Sequence, residues 1–305
     1  MLKFNSFSKA SSFIFLSVAL TFSFSHSAIA KPNLQPLGEN IADIGSKYYQ
    51  FQIKEFQSVD QQRNYKVWLG IPKQINRQQA QPSIFMLDGN SVMSRLNELL
   101  LKEMAEQQAP ILVAIGYQTN LPFESNSRSL DYTPADATGK PSIDPRNAER
   151  MSGGSEAFRK VILEQITPWV SSQVKLDATR KALWGHSYGG LFVLDSMLTA
   201  DSFSHYFSAS PSLTWADQRM LKKIANTTVT SVKTKQLLLM EGDMRLQQTA
   251  KVSPNFDSAM IQNNRQVISD LNKQGVKAKF LIYPNLSHGE VFGASLMDVL
   301  SNRLF

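Results

Sequence analysis

No cysteine occurs among the 305 residues. That excludes a disulfide framework, a thiol nucleophile and any cysteine-ligated zinc or iron–sulfur centre. Runs of five or more like charges are also missing, as is any nucleic-acid-binding motif. The formal net charge of +7 therefore reads as solvated surface charge, with mild attraction for an anionic substrate as the sharper alternative. There is no internal repeat and no low-complexity tract. Beyond residue 30 no apolar stretch is long enough to cross a bilayer as a helix.

What is present fits an enzyme-sized core: 42% hydrophobic residues, 10% aromatic and 19% charged. Residues 1–30 stand apart. Lys3 and Lys9 form a positive start, Phe13 to Leu20 is apolar, and Ala28-Ile29-Ala30 is a small-x-small site before Lys31. This reads as a secretory signal peptide and implies a periplasmic protein; an uncleaved inner-membrane anchor is the alternative. These thirty residues hold two lysines and no acid, so the remainder carries +5. Residues 31–305 read as a single domain.

Periodicity predicts strands at Tyr48–Phe56 and Tyr65–Ile71, from alternating side chains, and at Ser83–Leu87, Ile111–Ile115, Lys181–Trp184, Phe203–Ala209, Lys235–Met240 and Ala278–Tyr283, mostly from short apolar runs. Helices are expected at Val92–Glu106, Glu156–Val174, Leu191–Leu198, Gln218–Ala225, Ala259–Lys273 and Val291–Leu304. Residues 117–153 read as one long polar loop. Strand and helix in alternation imply an α/β fold with a mostly parallel central sheet covered by helices on both faces.

The chemistry centres on Gly185-His186-Ser187-Tyr188-Gly189. Gly-x-Ser-x-Gly between a strand and a helix is the nucleophile elbow of the α/β-hydrolase fold: the turn lifts the serine hydroxyl above the sheet, and the next residue's N–H faces a developing oxyanion. A serine needs a base to take its proton. Outside residues 1–30 the histidines are His186, His205 and His288. His288 follows the last predicted strand, where the base belongs, while His186 reads as a packing or hydrogen-bonding residue and His205 as a structural one. The orienting acid is expected after Lys235–Met240, as Asp243, with Glu241 as alternative; a Ser-His dyad is the third possibility. Gly89, in Asp88-Gly89-Asn90, and Tyr188 are the expected oxyanion donors.

The residue strings resemble a family: periplasmic trilactone hydrolases that open enterobactin- and salmochelin-type catecholate siderophores. The similarity spans about Tyr48 to Leu300. It is carried by Phe85-Met86-Leu87-Asp88-Gly89-Asn90-Ser91-Val92-Met93, Gly116-Tyr117-Gln118-Thr119-Asn120-Leu121-Pro122-Phe123, Leu183-Trp184-Gly185-His186-Ser187-Tyr188-Gly189-Gly190 and Ser208-Ala209-Ser210-Pro211-Ser212-Leu213. The resemblance implies a serine esterase that linearises the trilactone in siderophore export or iron uptake. It implies Ser187 and His288 as a pair needing no strong acid, and Arg128 and Asn90 as substrate contacts. Related chains carry a small polar residue where Asp243 stands. No cofactor or protein-bound metal is expected; any iron would arrive with the siderophore, ferric or iron-free. A monomer with no nucleic-acid partner is expected. Two rivals remain: an esterase for other acyl, phenolic or thioester substrates, and a non-catalytic envelope protein that binds siderophores.

Overall fold

The computed structural model describes residues 35–244 and 259–301. The signal-peptide reading falls on residues 1–30, outside the described residues. In chain order the elements are α1 (Ile41–Ile44), β1 (Tyr49–Gln57), β2 (Asn64–Pro72), β3 (Gln81–Met86), α2 (Gly89–Met93), α3 (Glu98–Ala105), β4 (Ile111–Tyr117), α4 (Ser125–Tyr132), β5 (Ser142–Asp144) and β6 (Asn147–Ser152). There follow α5 (Ser155–Val161), which runs through a π-helical turn at Ile162–Ile166 into α6 (Thr167–Gln173), then β7 (Leu176–His186), α7 (Tyr188–Thr199), β8 (His205–Ala209), α8 (Arg219–Asn226), β9 (Gln236–Gly242), α9 (Ala259–Lys273), β10 (Lys277–Tyr283) and α10 (His288–Leu300).

Eight of the strands form one sheet in the order β1-β2-β4-β3-β7-β8-β9-β10. β1 and β2 pair antiparallel, β2 pairs antiparallel with β4, and every later pairing is parallel. This is the mostly parallel α/β sheet expected from the sequence. The apolar runs of the central strands are explained by burial on both faces. Along β3, Phe85 faces a core shared with Leu191 and Phe192 of α7, while Ile84 and Met86 face the opposite core, with Val92 of α2 and Leu296 of α10. β7 alternates likewise: Leu183 faces the first core and Trp184 the second.

Three local expectations are corrected. The helix expected over 92–106 is two helices, because Asn97 caps α3 by accepting the Leu100 N–H at 3.0 Å. The final helix starts at His288 rather than Val291, set by a capping box in which Ser287 and Glu290 exchange bonds. The supposed loop 117–153 contains α4 and the two-stranded β5–β6 hairpin. Its strands were hidden because they are short and largely polar, with the cross-strand pair Ile143 and Met151 exposed.

Candidate active site

β3 and β7 end side by side, with Met86 opposite Trp184 and the Leu87 N–H donating to the Trp184 carbonyl. Each strand runs straight into a helix at this end. Ser187, between β7 and α7, adopts φ 60° and ψ −114°. A side chain at positive φ is strained and persists only where neighbours hold the turn. Here the Ser187 N–H donates to the Ala209 carbonyl at 2.9 Å, and the Ser187 carbonyl accepts from Leu191 and Ser212. The Ser187 hydroxyl lies 3.1 Å from the Ser212 hydroxyl.

The elbow glycines are not equivalent. A methyl at Gly185 would sit 2.5 Å from the Gly189 carbonyl oxygen, whereas one at Gly189 would meet nothing nearer than Leu87 at 3.4 Å. Gly185→Ala is therefore expected to destabilise by about 3 kcal/mol through overpacking. Gly189→Ala, inside a helix, should be neutral or stabilising by up to about 1 kcal/mol. Urea denaturation of the two variants checks the order; equal losses would contradict this geometry.

Gly89 and Tyr188 are the first residues of α2 and α7, so their N–H groups have no acceptor within their own helix. Both amides lie at the same end of adjacent strands. Position 89 also requires glycine. A side chain there would collide with β4, 2.6 Å from the Gly116 nitrogen, so packing against the neighbouring strand demands it.

His288 opens α10 and is half-buried. Gly242, at the end of β9, keeps its loop close, since any side chain there would overlap the Leu286 carbonyl. Burial, and after it the positive charges of Arg128 and Arg146, lower the His288 imidazole to about 4. No hydrogen bond joins His288 to Ser187 at rest among the described residues. Neither expected acid reaches the ring. Asp243 accepts the Asn285 N–H at 2.6 Å, using its carboxylate to shape the turn before His288. Glu241 is buried and accepts from Ser210, Asn264 and the Gly242 N–H. Among the described residues no carboxylate hydrogen-bonds His288.

An imidazole at about 4 is neutral across the physiological range, so with His288 as the expected base kcat/KM should keep a plateau down to about pH 5 and fall through pH 4. A limb near the ordinary histidine value of 6.5 would contradict it. The same shift couples to stability. The folded value lies below the unfolded one, so this contribution is complete above pH 6.5 and lost as pH falls toward 4.

Arg128 projects from α4 and grips the buried Asp88 through Nε and Nη2, both at 2.9 Å. Its guanidinium lies over the rings of Phe123, Tyr132 and Tyr188. Nη1 forms no bond to Asp88, which leaves it for an anionic oxygen. Asn90 is different from expectation. Its side chain is spent on the backbone of β4 and the loop after it, donating to the Tyr117 and Thr119 carbonyls and accepting the Tyr117 N–H. It is a brace for that loop, with both of its amide hydrogens already used.

Sequence reasoning missed two residues of the hairpin. Asp144, buried, accepts from Ser129 of α4 at 2.6 Å, Trp215 Nε1 at 2.9 Å, the Tyr188 hydroxyl at 3.1 Å and the Arg146 N–H at 2.9 Å. One carboxylate thereby ties the hairpin to α4 and to the residue after the elbow serine. Arg146, exposed at the hairpin turn, donates to the Thr214 hydroxyl and lies 6.0 Å from the Tyr188 ring. In sequence both look like ordinary polar turn residues around Pro145, and only the fold gives them a destination.

A mostly parallel eight-stranded sheet, with an elbow serine and a histidine after the last strand, defines a serine esterase of the α/β-hydrolase class. The chain belongs to the Esterase family, whose model matches residues 58–300. It is 42% identical over 284 residues to the apo-salmochelin esterase of Escherichia coli O6:H1, covering 92% of this chain and 87% of that protein. It is 29% identical to the ferri-bacillibactin esterase BesA of Bacillus subtilis, covering 83% and 87% respectively. The solved enterobactin and salmochelin hydrolase IroE superposes with a TM-score of 0.73 at 39% identity, over 86% of this chain and 98% of that one. IroE has also been solved in complex with DFP, a serine hydrolase inhibitor; that structure is 40% identical, with the same TM-score and coverage.

Proposed function

We propose that this esterase hydrolyses the trilactone backbone of catecholate siderophores of the enterobactin and salmochelin type, giving linear products, with Ser187 as nucleophile and His288 as general base. The observation that carries this reading is the pair of guanidiniums, Arg128 and Arg146, that flank Tyr188 and bear on His288. A neutral ester needs no such pair beside its base, whereas catecholate oxygens are natural partners for it. The 42% identity to an apo-salmochelin esterase supports the same substrate class.

The reaction runs by two acyl transfers. The Ser187 hydroxyl leaves Ser212 for the His288 ring, gives up its proton and attacks a lactone carbonyl. The N–H groups of Gly89 and Tyr188 receive the oxyanion. Collapse expels the neighbouring serine alkoxide of the ring, which takes the proton held by His288. Water, deprotonated by His288, then attacks the acyl-enzyme; Ser187 recovers its proton and the linear product leaves. The Lys3–Ala30 segment supports export to the periplasm with cleavage after Ala30, and an N-terminal mass measurement tests that. The protein is expected to act as a monomer, which its sedimentation would establish.

The deciding experiment is product analysis by mass spectrometry with iron-free and ferric enterobactin. Linear trimer is expected; its absence alongside intact turnover of simple aryl esters would favour the second reading, a serine esterase for other acyl groups. Arg146→Gln should lower kcat/KM for the catecholate substrate about tenfold, the scale of one charged hydrogen bond at a solvent-exposed position. It should leave a neutral aryl ester almost unchanged. Equal losses on both substrates would remove Arg146 from substrate recognition.

A further inference from the structure

His186, the second residue of the elbow, reads in the sequence as a packing or hydrogen-bonding residue. Its place in the fold is more specific. It follows Trp184 by two positions along β7, so it faces the core occupied by α10. Its ring is almost fully buried, 4.7 Å from the ring of His288 and 5.4 Å from that of Phe292, one turn further along α10. Its Nε2 lies 2.7 Å from the His288 carbonyl oxygen. A carbonyl can only accept, so Nε2 carries the hydrogen and the tautomer is fixed. Burial, and then the nearby His288, Arg128 and Arg95, keep the ring from taking a second proton.

In a serine–histidine–acid triad the carboxylate holds the imidazole from its far side, fixing tautomer and orientation. Here no carboxylate hydrogen-bonds the His288 ring among the described residues. We propose that His186 is a positioning residue that takes over the orienting part of that work, gripping His288 through its main-chain carbonyl and through ring contact. The peptide it holds is the one that carries the His288 side chain into the site. The nucleophile and the grip on the base are therefore consecutive residues of one rigid turn, so any shift of the elbow carries both together. A neutral ring supplies no charge, so it orients His288 without raising its basicity. This inference rests on Ser187 and His288 being the reacting pair.

The test compares His186→Phe, which keeps a packing ring but loses the donor, with His186→Gln, which restores a donor at similar reach. The readouts are kcat and KM on the trilactone, the rate of inactivation by DFP, and the thermal unfolding midpoint. His186→Phe is expected to lower kcat and the inactivation rate together by about 10- to 100-fold, the scale of a misplaced catalytic group. KM should stay within about threefold and the acid limb of kcat/KM should not move. His186→Gln should recover most of the loss. If His186→Phe turns over within twofold of the parent, or if both variants are equally impaired, the proposal is wrong. Nitrogen-15 spectra of the unaltered protein give a check that needs no variant: His186 should be the neutral Nε2–H tautomer, and an Nδ1–H tautomer overturns the inference. Ser187→Ala and His288→Ala are assayed in parallel. Activity in either would overturn the reacting pair and this inference with it, whereas their inactivity beside an active His186→Phe would overturn this inference alone.

Discussion

Replacing Ser187 with alanine is expected to lower kcat on the trilactone about 10⁵- to 10⁶-fold, the loss seen when a nucleophile that works as a unit with its base is removed. The fold should be untouched. The turn is held by main-chain bonds from Ser187 to Ala209, Leu191 and Ser212, and alanine keeps all of them. Only the hydroxyl contact with Ser212 goes. Binding should survive too, because Arg128 and Arg146 are intact, so the variant should retain siderophore with near-parental affinity while failing to react with DFP. Stopped turnover with retained binding separates a catalytic serine from a structural one. Near-parental turnover would disprove the nucleophile, and would leave the non-catalytic siderophore-binding alternative as the better account of the elbow.

Asp88→Asn should have the largest effect on stability. Asp88 is buried, sits at a left-handed φ of 52° that asparagine tolerates, and meets Arg128 in a two-bond fork. Removing the charge leaves a guanidinium with only 16% side-chain exposure without its counter-ion. Breaking one side of such a pair costs about 3–5 kcal/mol. Its shape is nearly conserved, so the loss can be assigned to charge. A second substitution sharpens the point: adding Arg128→Met to Asp88→Asn removes the orphaned cation and should restore much of the stability but none of the catecholate affinity. If the single variant unfolds at the parental urea concentration, the pair contributes nothing and Arg128 is held by its aromatic neighbours alone.

The central sheet was legible because its strands are covered on both faces, which leaves unbroken apolar runs such as Ile84 to Leu87 and Ile111 to Ile115. The elbow was legible because its geometry demands small residues at fixed spacing, and Gly185 shows why. The start of α10 was also readable in principle: Ser287 and Glu290 spell a capping box, which puts His288 inside the helix rather than before it. What could not be read depends on long-range polar contacts. Asp243 stands at the right interval after β9, but a carboxylate can turn toward an imidazole or toward a backbone amide, and the Asn285 N–H is the partner it takes. Asn90 sits beside the oxyanion loop, yet its amide is consumed by Tyr117 and Thr119, residues remote in sequence. Asp144 and Arg146 gave no periodic signal, because the hairpin is held by polar bonds to Ser129, Trp215, Tyr188 and Thr214 rather than by an apolar face.

The hairpin's attachment is concentrated at its root, where Asp144 accepts from Ser129, Trp215 and Tyr188. The hairpin hangs from Asp144, while Arg146, Glu149 and Met151 are turned outward, with no hydrogen bond to the elbow or to α4. Changes at these outer positions carry little risk to folding, and a change at Arg146 would alter substrate preference without loosening the hairpin's root. Asp144 holds the hairpin to α4 and also meets Tyr188, so a lineage that exchanged it would be altering the entrance and the catalytic turn in the same step. Diversity among descendants should therefore collect at the hairpin's tip and stop abruptly at its root.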